Sequence, residues 1–340
     1  MEALYVHAIA GQPIWTLLTA IAFLIFVLGT GADMMVDAAV ELSRRWGVPQ
    51  SVVGATIVSL GTTFPECAVS VAAAIQGEPD IALGNAVGSI ICDTGLILGL
   101  ANCMAPLPLD RQVVGRQGWI QLGAGVLLVV SCFPFAAPAA AFVQGGRLPR
   151  PMGWVFLLLL AFYIVFSVRW SRMADPAGQT AEPPPAARTG RTLLPLAGGA
   201  AMVVVASRLL IPLVGETALR LSVPESIVGA TLVAFGTSLP ELATSLVAAM
   251  KKEMDISVGN LVGSNVFNII SVLGAASLVR PLQIEGGFFQ GGLVVDYLVM
   301  MGISVLPWFM MRKTACLTRA NGAVLLMCYG TYIGYLVWKG

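Results

Sequence analysis

Charge is what this sequence has least of. Only 11% of its 340 residues are Asp, Glu, Lys or Arg, where a soluble domain carries about 25%. That scarcity excludes an ordinary water-exposed surface. The net charge is +1, so nothing points to nucleic acid as a partner. Histidine occurs once, at His7, which removes His-based metal sites and a histidine general base; no enzyme activity and no cofactor are expected. The six cysteines form no CxxC pair and no secreted-scaffold spacing, and they read as small hydrophobes. The opening "MEALYVHAIAGQPIWTLL" has no basic stretch before its apolar run, so a cleaved signal peptide is not expected.

What the sequence has is hydrophobicity: 57% of its residues, much of it in runs about 20 residues long, enough to cross a bilayer as helix. Ten spans are predicted, at 14–40, 51–76, 80–101, 116–135, 151–170, 192–218, 226–250, 255–278, 291–311 and 320–338. The polar segment 175–191 separates residues 1–174 from 192–340, five spans each. With both termini outside, 13 Lys and Arg fall in cytoplasmic loops and 5 in external ones, as the positive-inside rule requires. The expected protein is all-α, polytopic and integral to the cell (inner) membrane. It meets the lipid bilayer as a monomer or weak homo-oligomer.

The two halves repeat. Residues 48–100 lie over 223–275 at an offset of 175 without a gap, with 26 of 53 positions identical. The matches include Gly, Thr, Pro, Glu, Asp, Asn and Ser, which chance similarity between apolar segments would not keep in register. Five spans is an odd number, so the second half enters the membrane inverted. Inverted repeats of this kind place a binding site at the pseudo-two-fold interface, on interrupted helices.

The interruptions are "GTTFPE" (61–66) and "GTSLPE" (236–241). Pro65 has no N–H and clashes with the carbonyl of Gly61. The turn at 58–61 is therefore expected to leave carbonyls without intrahelical partners, which a bilayer does not satisfy. Ser59, Thr62 or Thr63, and Glu66 follow on one helical face. Ala234 (through its carbonyl), Thr237, Ser238 and Glu241 repeat the set. Asn85, Ser89 and Asp93 on span three are matched by Asn260, Ser264 and Asn268 on span eight. Carbonyl, hydroxyl and carboxylate oxygens are hard donors suited to Na⁺ and Ca²⁺. A carboxylate at the centre of a span costs at least about 2.5 kcal/mol, so three in register across a duplication mark function. Asp80 and Asp255, ahead of spans three and eight, suit N-caps. "GNAVGS" and "GNLVGS" are spaced for close helix packing.

These motifs resemble the two alpha repeats of the sodium/calcium exchanger family, in the cation/calcium antiporter superfamily. "GTTFPE" and "GTSLPE" match its G-T-S-x-P-E signature; "GNAVGSIICD" and "GNLVGSNVFN" match G-N-x-x-G-S-N-x-x-[ND]. The resemblance covers both halves and extends to the ten helices of the prokaryotic members. It implies Na⁺/Ca²⁺ antiport in which Glu66 and Glu241 are the shared central ligands and Asp93 and Asn268 complete the site. Thr62, Ser89, Thr237 and Ser264 would line it, assisted by Thr63, Ser238 and the carbonyls of Ser59 and Ala234. Thr63, Phe64 and Ile90 depart from the family pattern. Proton-coupled relatives carry an acid where this chain has Gly88 and Gly263, so they fit less well.

Alternating access is the expected mechanism, spans one and six sliding over the rest. The offset of 175 sets Arg208 opposite Asp33; the two either pair across the pseudo-axis and gate the route or stand as separate snorkelling or interfacial charges. Glu66, Glu241 and Asp93 sum to −3 when ionised, which one Ca²⁺ leaves at −1, so H⁺ or K⁺ is a candidate further partner. A proton- or K⁺-coupled exchanger and a cation channel are the alternative readings.

Overall fold

Helix α1 (Ile14–Trp46) is 33 residues long and ends where Gly47 adopts a left-handed turn, φ 60°. Its apolar stripe of Leu17, Leu24, Leu28 and Ala32 buries against Val203, Ala206, Leu210 and Leu213 of α7 (Gly190–Arg220). In this computed structural model the described residues are 9, 11–104, 107–108, 111–135, 145–174, 190–223, 235–284, 292–311 and 316–339. The remaining helices are α2 (Gln50–Thr62), α3 (Phe64–Gln76), α4 (Pro79–Met104), α5 (Arg111–Cys132), α6 (Arg150–Ala174), α8 (Leu239–Met250), α9 (Met254–Val279), α10 (Gly292–Met310) and α11 (Arg319–Lys339).

Among the described residues seven helices are long and apolar enough to span a membrane, and α2 with α3, bent by 45°, adds an eighth. Large side chains such as Phe23, Phe26, Leu158, Phe162, Leu194 and Leu298 are exposed on their outer faces. In water that would be an aggregation liability; in lipid it is the correct solvent match. The expected seventh span, 226–250, begins in 224–234, outside the described residues. So does the Ala234 carbonyl. The linker 175–189 is likewise outside them.

The core joins the two halves. Leu83, Ile90 and Ile91 of α4 pack with Phe267, Ile270 and Leu273 of α9 and Phe156 of α6 in one buried cluster. Close packing is made by glycine: a Cβ on Gly259 or Gly263 of α9 would strike the backbone of Ser51 or Ala55 of α2. Two short antiparallel pairs, which the sequence does not announce, also cross between halves. β1 (Leu107–Pro108) pairs with β4 (Cys316–Leu317), and β2 (Arg147–Leu148) with β3 (Leu282–Gln283). Leu107 and Leu282 are 175 apart, while their ladder partners Leu317 and Leu148 are 169 apart, so the two ladders follow the repeat on one strand and are shifted by six residues on the other.

Helix ends sort onto two faces. Arg220 donates to the Gln12 and Ile9 carbonyls, and Arg150 to the Val279 carbonyl at 2.9 Å. On the opposite face Lys251 holds Asp33 and Asp37, and Arg319 reaches the Met104 carbonyl at 3.5 Å. One expected feature is corrected: Glu78 and Glu253 occupy the N-cap positions of α4 and α9, and Asp80 and Asp255 lie in the first turns. Pro79 at the first helical position of α4 sets that register.

Candidate ion-binding site

Thr63 interrupts the helix at φ −79°, ψ 1°, and Ser238 at φ −85°, ψ 7°. Both lie in the bridge region, a sparsely populated backbone conformation. Pro65 and Pro240 follow at the start of the next helix, where a missing N–H costs nothing. Each break delivers a glutamate into the first turn beyond it: Glu66 in α3 and Glu241 in α8. Backbone N–H groups at a helix start favour negative charge there. Glu66 is 0% exposed and Glu241 1%. The facing helices α4 and α9 each open into a π-helical turn, Cys92–Ile97 and Asn268–Leu273. These turns carry Asp93 and Asn268, both buried. Single π turns inside α-helices occur often at functional sites.

Two asparagines tie the halves together. Asn85 donates to Ser70 Oγ at 2.9 Å and to the Glu66 carbonyl at 3.1 Å, and accepts from Thr237 of the other half at 3.1 Å. Asn260 donates to Ser245 Oγ at 3.2 Å and accepts from Thr62 at 3.2 Å. Every member of the second set is 175 residues from its partner in the first. The network also places Ser89 Oγ 3.4 Å from Thr237 Oγ1.

Within that frame the charged groups are under-satisfied. Among the described residues twelve buried side-chain polar atoms lack a hydrogen-bond partner, and seven belong to the expected ligands. They are both Glu66 oxygens, Glu241 Oε2, Asp93 Oδ1, Ser238 Oγ and the two Asn268 amide atoms. Glu241 Oε1 accepts from Thr63 at 3.2 Å, and Asp93 Oδ2 from Ser264 at 2.5 Å. The charges of Glu241 and Asp93 both reach Glu66. Buried polar atoms are nearly always paired, so this concentration is a cation-sized demand. No three His, Cys, Asp or Glu side chains among the described residues cluster tightly enough to hold a metal alone. An ion here would draw on hydroxyl, amide and carbonyl oxygens as well, the donors Na⁺ and Ca²⁺ accept.

The structure therefore brings together Glu66, Glu241, Asp93, Thr62, Thr63, Ser89, Thr237, Ser238 and Ser264, and holds Asn268 buried on the facing π turn of α9. Ser59 differs from expectation. Its carbonyl already accepts the Thr63 N–H at 2.9 Å, and its hydroxyl shares its one hydrogen between the Gly54 and Asn260 carbonyls, each 2.9 Å away. The bridge conformation of Thr63 lets that one backbone bond survive the break. Sequence reasoning missed Ser70 and Ser245, although both follow their glutamates by one helical turn in identical register.

A cavity of about 480 Å³ descends to this centre. Gln76, Ala72, Ala68 and Pro65 of α3, Arg208, Ile211 and Pro212 of α7, and Thr237 at the floor line it. Of the two readings of Asp33 and Arg208, the structure shows no pairing between them. Arg208 lines the cavity, while Asp33 and Asp37 both bind Lys251 Nζ at 2.6 Å on the opposite face. Lys251 closes the turn between α8 and α9, which sets its ammonium against the acids of α1. Burial opposes its charge, but the bonds to Asp33 and Asp37 outweigh that and raise its pKa. The clamp thus stays charged below the usual lysine value, about 10.4, and is lost only as pH rises through the raised one.

A multi-pass helical membrane protein with buried acids donated by two related halves belongs to the architecture of secondary transporters. Comparison makes this specific. Residues 16–169 and 192–338 match the sodium/calcium exchanger protein family, and the chain belongs to that family. It is 34% identical to the inner membrane protein YrbG of Escherichia coli K12, over 90% of this chain and 92% of that one. It is 28% identical to the sodium/calcium exchanger MaX1 of Methanosarcina acetivorans, covering 93% and 98%. The sodium-calcium exchanger NCX_Mj, in crystals soaked with zero Na⁺ and Ca²⁺, superposes with a TM-score of 0.77 at 27% identity, covering 95% and 100%.

Proposed function

We propose that this protein is a secondary active antiporter that exchanges Na⁺ for Ca²⁺ by alternating access. The observation that carries the reading is the pool of unpartnered buried oxygens drawn from both halves: Glu66 and Asp93 from one, Glu241, Ser238 and Asn268 from the other. Ca²⁺ and Na⁺ would occupy that pool in turn, with Thr62, Thr63, Ser89, Thr237 and Ser264 supplying hydroxyls. Ser59 and Ala234 would contribute carbonyl oxygens; the second lone pair of the Ser59 carbonyl becomes available to an ion when the Thr62 hydroxyl, 3.4 Å away, donates to Asn260 instead.

The architecture we infer is ten spans in two inverted five-helix repeats, residues 1–174 and 192–340, joined by 175–191. Both termini face outward from a cell membrane. The two-face sorting of helix ends supports the span count, because each contact joins ends that the alternating count puts on the same side; the outward placement of the termini rests on the Lys and Arg bias between loops. In that frame the cavity opens outward and the Lys251 clamp closes the inner face. Helix α8 packs along α1 there, and α1 with α7 forms the sliding pair.

Charge balance supports a further partner. One Ca²⁺ leaves three ionised acids at −1 in a low dielectric, so a proton on Asp93 or a K⁺ would travel with it. The test is ⁴⁵Ca²⁺ uptake into proteoliposomes under imposed Na⁺, K⁺ and H⁺ gradients. Uptake should follow an outward Na⁺ gradient and fall at least about 100-fold in Glu66→Gln. Flux that ignores an opposing Na⁺ gradient would indicate a channel, and flux driven by pH alone a proton-coupled exchanger.

A further inference from the structure

The offset that aligns the repeats also aligns their mouths. Lys251, Asp33 and Asp37 form the clamp on one face. Their mirror positions, 175 residues away, are Gln76, Arg208 and Pro212, and all three line the open cavity. Where one mouth has two carboxylates, the other has a guanidinium. Arg208 is exposed, and among the described residues it makes no ion pair and no hydrogen bond. It stands in the cavity whose floor is Thr237, which binds Asn85 and contacts Ser89. A fixed positive charge in a confined route to an acid-lined site opposes every cation that passes it, in proportion to the cation's own charge.

We infer that Arg208 is a specificity-determining residue. It weakens capture of divalent cations from the cavity face more than capture of monovalent ones, and so favours Na⁺ over Ca²⁺ on that side. This rests on the exchanger reading above. Ion charge enters the energy linearly, so the penalty factor for a divalent ion is the square of that for a monovalent one. At roughly 8 Å in a water-filled cleft the penalty is about 2.4-fold for Na⁺ and hence about sixfold for Ca²⁺. The face closed by Asp33 and Asp37 has the opposite sign and would gather divalent ions once it opens.

The test measures half-saturating Ca²⁺ and Na⁺ on each face, in right-side-out and inverted vesicles, for wild type, Arg208→Gln and Arg208→Lys. On the cavity face Arg208→Gln should lower the Ca²⁺ value about sixfold and the Na⁺ value about 2.4-fold. Raising ionic strength should shrink both shifts, and Arg208→Lys should behave as wild type. The opposite face should not respond. Equal shifts for the two ions, a shift on the opposite face alone, or no shift would overturn the inference. Absence of Na⁺-driven Ca²⁺ flux in wild type would instead overturn the exchanger reading, independently of Arg208.

Discussion

The two faces of this molecule are built from mirror-related residues and treat them differently. On one, Lys251 draws Asp33 and Asp37 together and α8 lies along α1. On the other, Gln76, Arg208 and Pro212 stand apart around a cavity of about 480 Å³. The asymmetry continues inward. The Thr62–Asn260 pair is sealed at 1% and 0% exposure, whereas its mirror, Thr237–Asn85, is half-buried beside the cavity. A symmetric scaffold thus holds an asymmetric state, open on one side and shut on the other. Exchanging those states is what alternating access requires.

The sharpest way to probe that contrast is to cut the two asparagine links separately. Asn260→Ala strands Thr62 and Ser245 in a dry environment, and should cost about 2 kcal/mol of stability. Asn85→Ala acts beside the cavity, where water can replace the lost amide, and should cost about half as much. Thermal unfolding in detergent checks this; equal losses would mean the two links are equally dry. A smaller effect comes from making the faces alike. Lys251→Gln copies Gln76 onto the closed side and removes a partly exposed ion pair worth about 0.5 kcal/mol. The cavity-open state should then lose about half its weight against the other. Alkylation of Ala72→Cys by an impermeant maleimide, in a background without native cysteines, should slow about twofold. An unchanged rate would show that the clamp does not hold the inner face shut.

Much of this was legible in the sequence because the signal was chemical and doubled. Glu66 and Glu241 are costly in hydrocarbon, each follows a helix-breaking proline, and the two sit 175 apart. Burial and placement followed from those facts. The Ser70–Asn85 and Ser245–Asn260 links were missed, although Ser70 and Ser245 are repeated polar positions one turn past each glutamate. The clamp was not legible. Its mirror is Gln76, so the repeat carries no trace of it, and the offset instead suggested Arg208 as the partner of Asp33. That suggestion failed because equivalent positions in an inverted repeat lie on opposite faces. The offset identifies counterparts, not neighbours. The Ser59 carbonyl was misjudged for a local reason: removing one N–H by proline does not orphan every carbonyl in the turn. The ladders β1–β4 and β2–β3 arise from two-residue segments too short to show any periodicity.

The claim on which the rest depends is that the two halves share one site, and Ca²⁺ binding to purified protein tests it directly. Isothermal titration of wild type, Glu66→Gln and Glu241→Gln in Na⁺-free buffer should show one Ca²⁺ per chain. That binding should vanish in each variant although the glutamates come from different halves. Retention of Ca²⁺ by either variant with wild-type affinity would contradict the account.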